Sequence, residues 1–182
     1  IPYMIAITFL LLALGMSGNQ ITFWEGVILW AAFLVYLGYL FWMATKNKEE
    51  EEEEEEKPVW KLLVLTLVGL VLVVWGSDVT VDAASAIASA FGMSERLIGL
   101  TIVAFGTSLP ELCTSVSAAM KGKSDIAIGN IVGSNIFNIL FVVGTTALIT
   151  PVTFQANFVI DTLIAAAAAI LLWLCVFRKQ RL

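Results

Sequence analysis

The sequence predicts an all-α, polytopic membrane protein with about six transmembrane helices. Of its 182 residues, 59% are hydrophobic and only 14% are charged. Eight of the fifteen acidic residues lie in one run, Glu49 to Glu56, so the remainder is almost uncharged. Apolar stretches recur at lengths near the ~20 residues that a helix needs to cross a hydrocarbon core about 30 Å thick. The lipid bilayer is therefore the first partner to expect.

Taken in order, the first expected span is Ile1 to Met16. Its start is already apolar and lacks Met, which leads us to expect that the chain begins inside a longer one. No basic region followed by a small-residue cleavage site opens it, so no removable signal peptide is expected. Residues 1–46 should hold this span and a second, Trp24 to Ala44. Residues 47–59 should form an acidic linker whose glutamates repel one another and stay solvated and disordered. Calcium buffering by that tract is the minor alternative, and it would be weak without a fixed coordination geometry.

Residues 60–182 should hold four more spans. Trp60 to about Phe91 is longer than a bilayer requires and should tilt or extend out of it. Gly92 can stop this helix and Ser94 can cap the next, with Glu95 in its first turn, where a carboxylate suits the positive end of the helix dipole. The fourth span, Arg96 to Met120, ends in a tight turn, Lys121 to Asp125, with Ser124 or Asp125 capping the fifth, Ile126 to Ile149. Phe158 to Phe177 is the sixth. Trp24, Trp42, Trp60 and Trp173 sit near span ends, as interfacial aromatics do.

Six spans put nine of the ten basic residues on one side, leaving only Arg96 on the other. By the positive-inside tendency that side is cytoplasmic. Both termini and the acidic linker are then expected in the cytoplasm, with the chain in the inner (plasma) membrane of the cell. There is no histidine, and Cys113 and Cys175 fall within apolar spans, so zinc sites and disulfide frameworks are not expected. Neither an organic cofactor nor a nucleic-acid partner is expected. A weak internal echo relates Asp161 to Arg181 with Pro2 to Ile21 in position and hydropathy.

Chemistry concentrates in two places. A proline inside a span removes one backbone hydrogen bond and clashes with the preceding turn, so Gly106 and Pro110 together predict a broken helix. In a membrane such backbone is tolerated only where it is buried in protein or lines a wet cavity. The break should free carbonyls, those of Ala104 and Phe105, while Thr107 and Ser108 add hydroxyls. Glu111, at bilayer depth, costs at least ~2.5 kcal/mol on insertion scales and so marks an ion pathway or proton relay. The plainer reading is a proline kink with a protonated glutamate that packs helices together.

On the next span Asn130, Ser134 and Asn138 recur every four residues and form one polar stripe, with Gly133 beside it permitting close helix approach. Interhelical glue and a binding site are equally open readings of the stripe alone. Together the two regions offer hydroxyl, amide, carbonyl and carboxylate oxygens, a set that suits hard cations such as calcium or sodium. Asp78 and Asp82, four apart toward the outer end of the third span, are read as solvated or capping residues, as is Asp161. Ser77 and Thr80 are left without a role.

Two motifs here, GTSLPE at Gly106 to Glu111 and GNIVGSNIFN at Gly129 to Asn138, resemble one alpha repeat of the cation/calcium exchanger superfamily, in particular its prokaryotic sodium/calcium exchanger branch. The repeat spans about residues 76–149. The resemblance implies a ten-helix fold of two inverted halves, with ions bound at the midplane where two broken helices meet. It also implies Ca2+ and Na+ as transported ions, exchanged by alternating access in a secondary transporter rather than an enzyme. Carried over by motif position, the expected ion ligands are the Ala104 carbonyl, Thr107, Ser108, Glu111, Ser134 and Asn138, with Asn130 and Asn135 close to that set.

Asn138 stands where one repeat of the family often carries aspartate, which lowers the negative charge of the site and leaves sodium stoichiometry and potassium dependence open. The cation/proton branch places an acid after its GN motif, where this chain has Val132 and Gly133. A calcium/proton exchanger is the alternative reading, and a transport-inactive half that assembles with a partner is another. Matched to the family, Ile1 to Ala44 resembles the end of a first half and Trp60 to Arg181 the first four helices of a second. The expectation is a fragment or half of the working unit, completed by the missing half or by a second copy in a homodimer. The one-sided basic residues would bring two copies together in parallel, which favours the fragment.

Overall fold

The computed structural model describes residues 1–46 and 58–179. The acidic run Glu49 to Glu56, expected as a solvated linker, lies outside the described residues, as do Lys48, Lys57 and Arg181. In chain order the helices are α1 (Pro2–Gly18), α2 (Phe23–Lys46), α3 (Val59–Ala90), α4 (Glu95–Ile98), α5 (Ala104–Gly106), α6 (Leu109–Met120), α7 (Ser124–Phe137), α8 (Gly144–Ile149) and α9 (Ala156–Lys179). Two π-helical segments, Gly99–Val103 and Asn138–Val143, join α4 to α5 and α7 to α8. Two short strands, β1 (Gln20–Ile21) and β2 (Val152–Thr153), pair antiparallel.

The expected all-helical membrane architecture is present. Among the described residues, four helices are long and apolar enough to cross a membrane: Phe23–Lys46, Val59–Ala90, Ser124–Ile149 and Ala156–Arg178. The first expected span is a shorter apolar helix of 17 residues. The fourth is the interrupted series α4 to α6, which no single helix covers because the chain turns at Thr107 and Ser108.

Contacts divide the chain into two compact units, Ile1–Glu50 with Val132–Leu182, and Glu51–Ile131. In the first unit α1 packs against α9, and α2 against α8 and the π segment before it. Small residues set the α2–α8 approach: a Cβ on Gly26 would stand 3.0 Å from the Gly144 carbonyl oxygen and 3.0 Å from the Ala147 Cβ. Leu29, Ile136 and Leu140 are buried there, and Trp30, Phe33, Phe137 and Phe141 form a ring cluster with centroids 4.6–6.1 Å apart. The Trp30 indole N–H donates to Thr145 Oγ1 at 3.1 Å, satisfying the one polar atom of that cluster.

The turn into α2 shows the acidic half of a capping box: Glu25 Oε2 accepts from the Thr22 N–H at 2.6 Å and from the Thr22 hydroxyl at 3.0 Å, while Gly26 N–H donates to the Thr22 carbonyl at 2.9 Å as the first helical bond. Ser17 Oγ adds a bond to Glu25 Oε1 at 2.9 Å, tying the end of α1 to the start of α2.

In the second unit α3 packs against α4, the first π segment, α5 and α6. Its end is as expected. Gly92 takes φ +82°, Gly92 N–H donates to Ser89 and Met93 N–H to Ala88, the paired bonds of a Schellman motif, and Ser94 Oγ accepts from Leu97 N–H at 3.3 Å. Gly122 repeats the arrangement at the end of α6, with φ +73° and Lys123 N–H donating to the Ala118 carbonyl. The following helix begins at Ser124, with Asp125 in its first turn, and the Ala127 N–H donates to the Lys123 carbonyl at 3.3 Å.

Candidate functional site

The interruption expected at Gly106 to Pro110 is built by three local events. Pro110 has no N–H to return to the Gly106 carbonyl, four residues back. Ser108 N–H, which in a continuous helix would reach Ala104, donates instead to the Phe105 carbonyl at 3.0 Å. The Ala104 carbonyl left over by that shift accepts the Thr107 hydroxyl at 2.9 Å. Ser108 begins the next helix with φ −97° and ψ 0° and spends no side-chain bond on the cap. Within eight residues the chain thus carries a carbonyl, two hydroxyls and the Glu111 carboxylate, with Thr107 and Ser108 exposed.

Gly106 has a second reason to be glycine. It is buried against α3, and a Cβ there would overlap Val81 Cγ2. The break is therefore held tightly against α3 at the point where its backbone bonds are irregular. Among the described residues, a Cβ built on Gly133, expected to permit close approach, meets nothing within 4 Å, so close contact falls at Gly106 instead.

Glu111 sits in the first turn of α6, half-buried, with Oε2 fully enclosed and without a hydrogen-bond partner. Ser85 Oγ on α3 is likewise enclosed and unpartnered. An enclosed polar atom without a partner loses its water without recompense, ~1–3 kcal/mol for a neutral group and more for a charged one. The Glu111 backbone is, by contrast, well held. Its carbonyl accepts Asn130 Nδ2 at 3.1 Å, and the same amide donates to Ser115 Oγ at 3.0 Å.

Ser134 lies one turn further along α7 and is half-buried, and Asn138, exposed, opens the second π segment. Asn135 is exposed. Asp78 and Asp82 are exposed on α3 and Asp161 is exposed on α9, while Ser77 is buried and donates to the Val73 carbonyl at 2.8 Å. Sequence reasoning did not anticipate the two π segments: Gly99–Val103 lies just before GTSLPE, with Ala104 and Phe105 between, and Asn138–Val143 begins on the last residue of GNIVGSNIFN. Such segments occur often at functional sites.

The family model described as sodium/calcium exchanger protein matches residues 61–182. The chain belongs to the sodium/calcium exchanger family. Membership places it among transporters rather than enzymes. Sodium/calcium exchanger MaX1 of Methanosarcina acetivorans is 44% identical over 116 residues, covering 63% of this chain and 33% of that protein. Inner membrane protein YrbG of Escherichia coli is 40% identical over 111 residues, covering 58% of this chain and 34% of that protein. A structure of the sodium-calcium exchanger NCX_Mj, soaked with Na+ and Sr2+, superimposes with a TM-score of 0.73 at 31% identity, covering 92% of this chain and 55% of the other. This exchanger-family chain spans about a third of the length of the curated relatives it matches and about half of that solved chain.

Proposed function

We propose that this chain is one half, or a fragment, of a secondary active antiporter that exchanges sodium for calcium by alternating access. Its contribution to the ion site is the Ala104 carbonyl, Thr107, Ser108, Glu111, Ser134 and Asn138. The observation that carries this reading is the enclosed, unpartnered Glu111 Oε2 in the turn that follows a helix interruption. A carboxylate oxygen kept from both water and protein donors is matched by a hard cation, which needs oxygen ligands and supplies the missing charge.

Exchange follows from competition. A divalent ion and monovalent ions compete for the same carboxylate oxygens, and the hydroxyls and carbonyl suit either because both are hard cations that take oxygen ligands. An ion-loaded site has its buried charge compensated, whereas an empty one retains a charge that is costly at bilayer depth. That difference favours movement of the loaded carrier. MaX1 and NCX_Mj are named as sodium/calcium exchangers, which supports sodium and calcium as the pair. A complementary half, supplied by a longer chain or by a partner that could be a second copy, completes the site in the inverted-repeat manner.

We place the protein in the inner (plasma) membrane, with the acidic linker and both ends cytoplasmic. The test is calcium uptake into proteoliposomes under an outward sodium gradient or a pH gradient alone. Uptake is expected with sodium and absent with the pH gradient; the reverse result identifies a calcium/proton exchanger and sinks the sodium reading.

A further inference from the structure

Asn130 lies on the polar stripe of α7, where it could be counted with the ion ligands, yet its amide is already committed. Both hydrogens of Nδ2 are spent: one on the Glu111 carbonyl at 3.1 Å and one on Ser115 Oγ at 3.0 Å. Because the Glu111 carbonyl can only accept, the atom facing it must be the amide nitrogen, which fixes the orientation of the group. Ser115 is buried, and its hydroxyl passes the chain on to the Ala127 carbonyl at 3.5 Å. The result is a relay from α7 to α6 and back to α7, anchored on the residue that carries the carboxylate.

We infer that Asn130 is a positioning residue, not an ion ligand: its amide, braced by Ser115, holds the Glu111 backbone against α7 and so fixes where the carboxylate stands. The inference rests on Glu111 being the charged ligand of the antiport reading. The physical argument concerns the start of α6. That helix begins after two irregular residues and has a proline as its second residue, so its first turn lacks the continuous backbone bonding that would otherwise fix its rotation and height. A bond to the Glu111 carbonyl from the neighbouring helix supplies that restraint at the residue where it matters most. Small displacements of a ligand have large effects on an ion site, and a side chain that acts through the backbone can control them.

Asparagine and aspartate separate the two roles. Aspartate keeps an oxygen in the place of Oδ1 and adds negative charge, which would preserve or strengthen a ligand. Ionised, it offers no donor at all; protonated, it offers one O–H to two acceptors. The experiment uses Asn130→Asp, Asn130→Ala, Ser115→Ala and Ser115→Thr in this protein assembled with its complementary half. It reads calcium KM and maximal rate for sodium-driven uptake, and hydrogen exchange of the amides of residues 109–120 on the same proteins.

Both Asn130 variants are expected to raise calcium KM about tenfold, the equivalent of one hydrogen bond lost, and to accelerate α6 exchange by a similar factor. Ser115→Ala, a milder change, should do the same to a smaller extent, and Ser115→Thr should restore wild-type behaviour by returning the hydroxyl. An Asn130→Asp variant with a calcium KM at or below wild type, beside a raised KM in Asn130→Ala, would make Asn130 a ligand and overturn the inference. Unchanged α6 exchange in both Asn130 variants would overturn it equally. Wild-type protein without sodium-driven uptake, but with α6 exchange still accelerated by Asn130→Asp, would overturn the antiport reading and uphold the clamp.

Discussion

Thr107 shows how one side chain can repair and functionalise the same defect. Its hydroxyl hydrogen goes to the Ala104 carbonyl that the interrupted helix has left behind, and its oxygen lone pairs stay available on an exposed residue. Thr107→Val keeps the shape and removes both functions. It should raise calcium KM in sodium-driven uptake by roughly tenfold, the order of one hydrogen-bonded contact, whereas Thr107→Ser should stay close to wild type. Thr107, Ser108 and Glu111 were legible as a group because their residue types are expensive in hydrocarbon, so their presence demands a reason. Asn130 was harder to read. Its spacing set it on the polar stripe, but spacing does not tell which neighbour an amide meets, and its partners proved to be the Glu111 carbonyl and Ser115.

Among the elements, helix ends were legible and helix interiors less so. Gly92, Ser94 and Gly122 act through local geometry that a few neighbouring residues specify, and they end or cap helices as expected. The π segments at Gly99–Val103 and Asn138–Val143 were not legible, since both are mostly apolar stretches inside expected spans and nothing in their composition distinguishes a π from an α pattern of hydrogen bonds. The ladder of β1 and β2 is only two residues long on each side, too short for an alternating pattern to announce it. The close approach assigned by sequence to Gly133 occurs at Gly106 because tertiary contact, not membership of a stripe, decides which glycine meets a neighbour. That contact makes a prediction about α5 and α3. Gly106→Ala would drive its Cβ into Val81 Cγ2 and should destabilise the protein by ~1–3 kcal/mol, read as a lower thermal midpoint in detergent. Val81→Ala in the same background removes the overlapping methyl and should recover most of that loss. A Gly106→Ala protein as stable as wild type would mean that α5 and α3 do not meet this closely.

For the whole molecule, hydrophobic content and span length were enough to establish a helical membrane protein, because the bilayer dictates both. The count of about six is approximate: among the described residues four helices are long and apolar enough on their own, one is shorter, and one is interrupted at Thr107 and Ser108. That interruption, with Glu111 just beyond it, carries the account of ion exchange. The most direct measurement is sodium-gradient-driven calcium uptake into proteoliposomes made with this protein and its proposed complementary half, comparing wild type with Glu111→Gln. The substitution keeps the size and one oxygen of the side chain, replaces the other oxygen with an amide NH2 and removes the charge. The account predicts that wild type takes up calcium in proportion to the opposing sodium gradient and that Glu111→Gln does not; sodium-driven uptake that survives Glu111→Gln would contradict it.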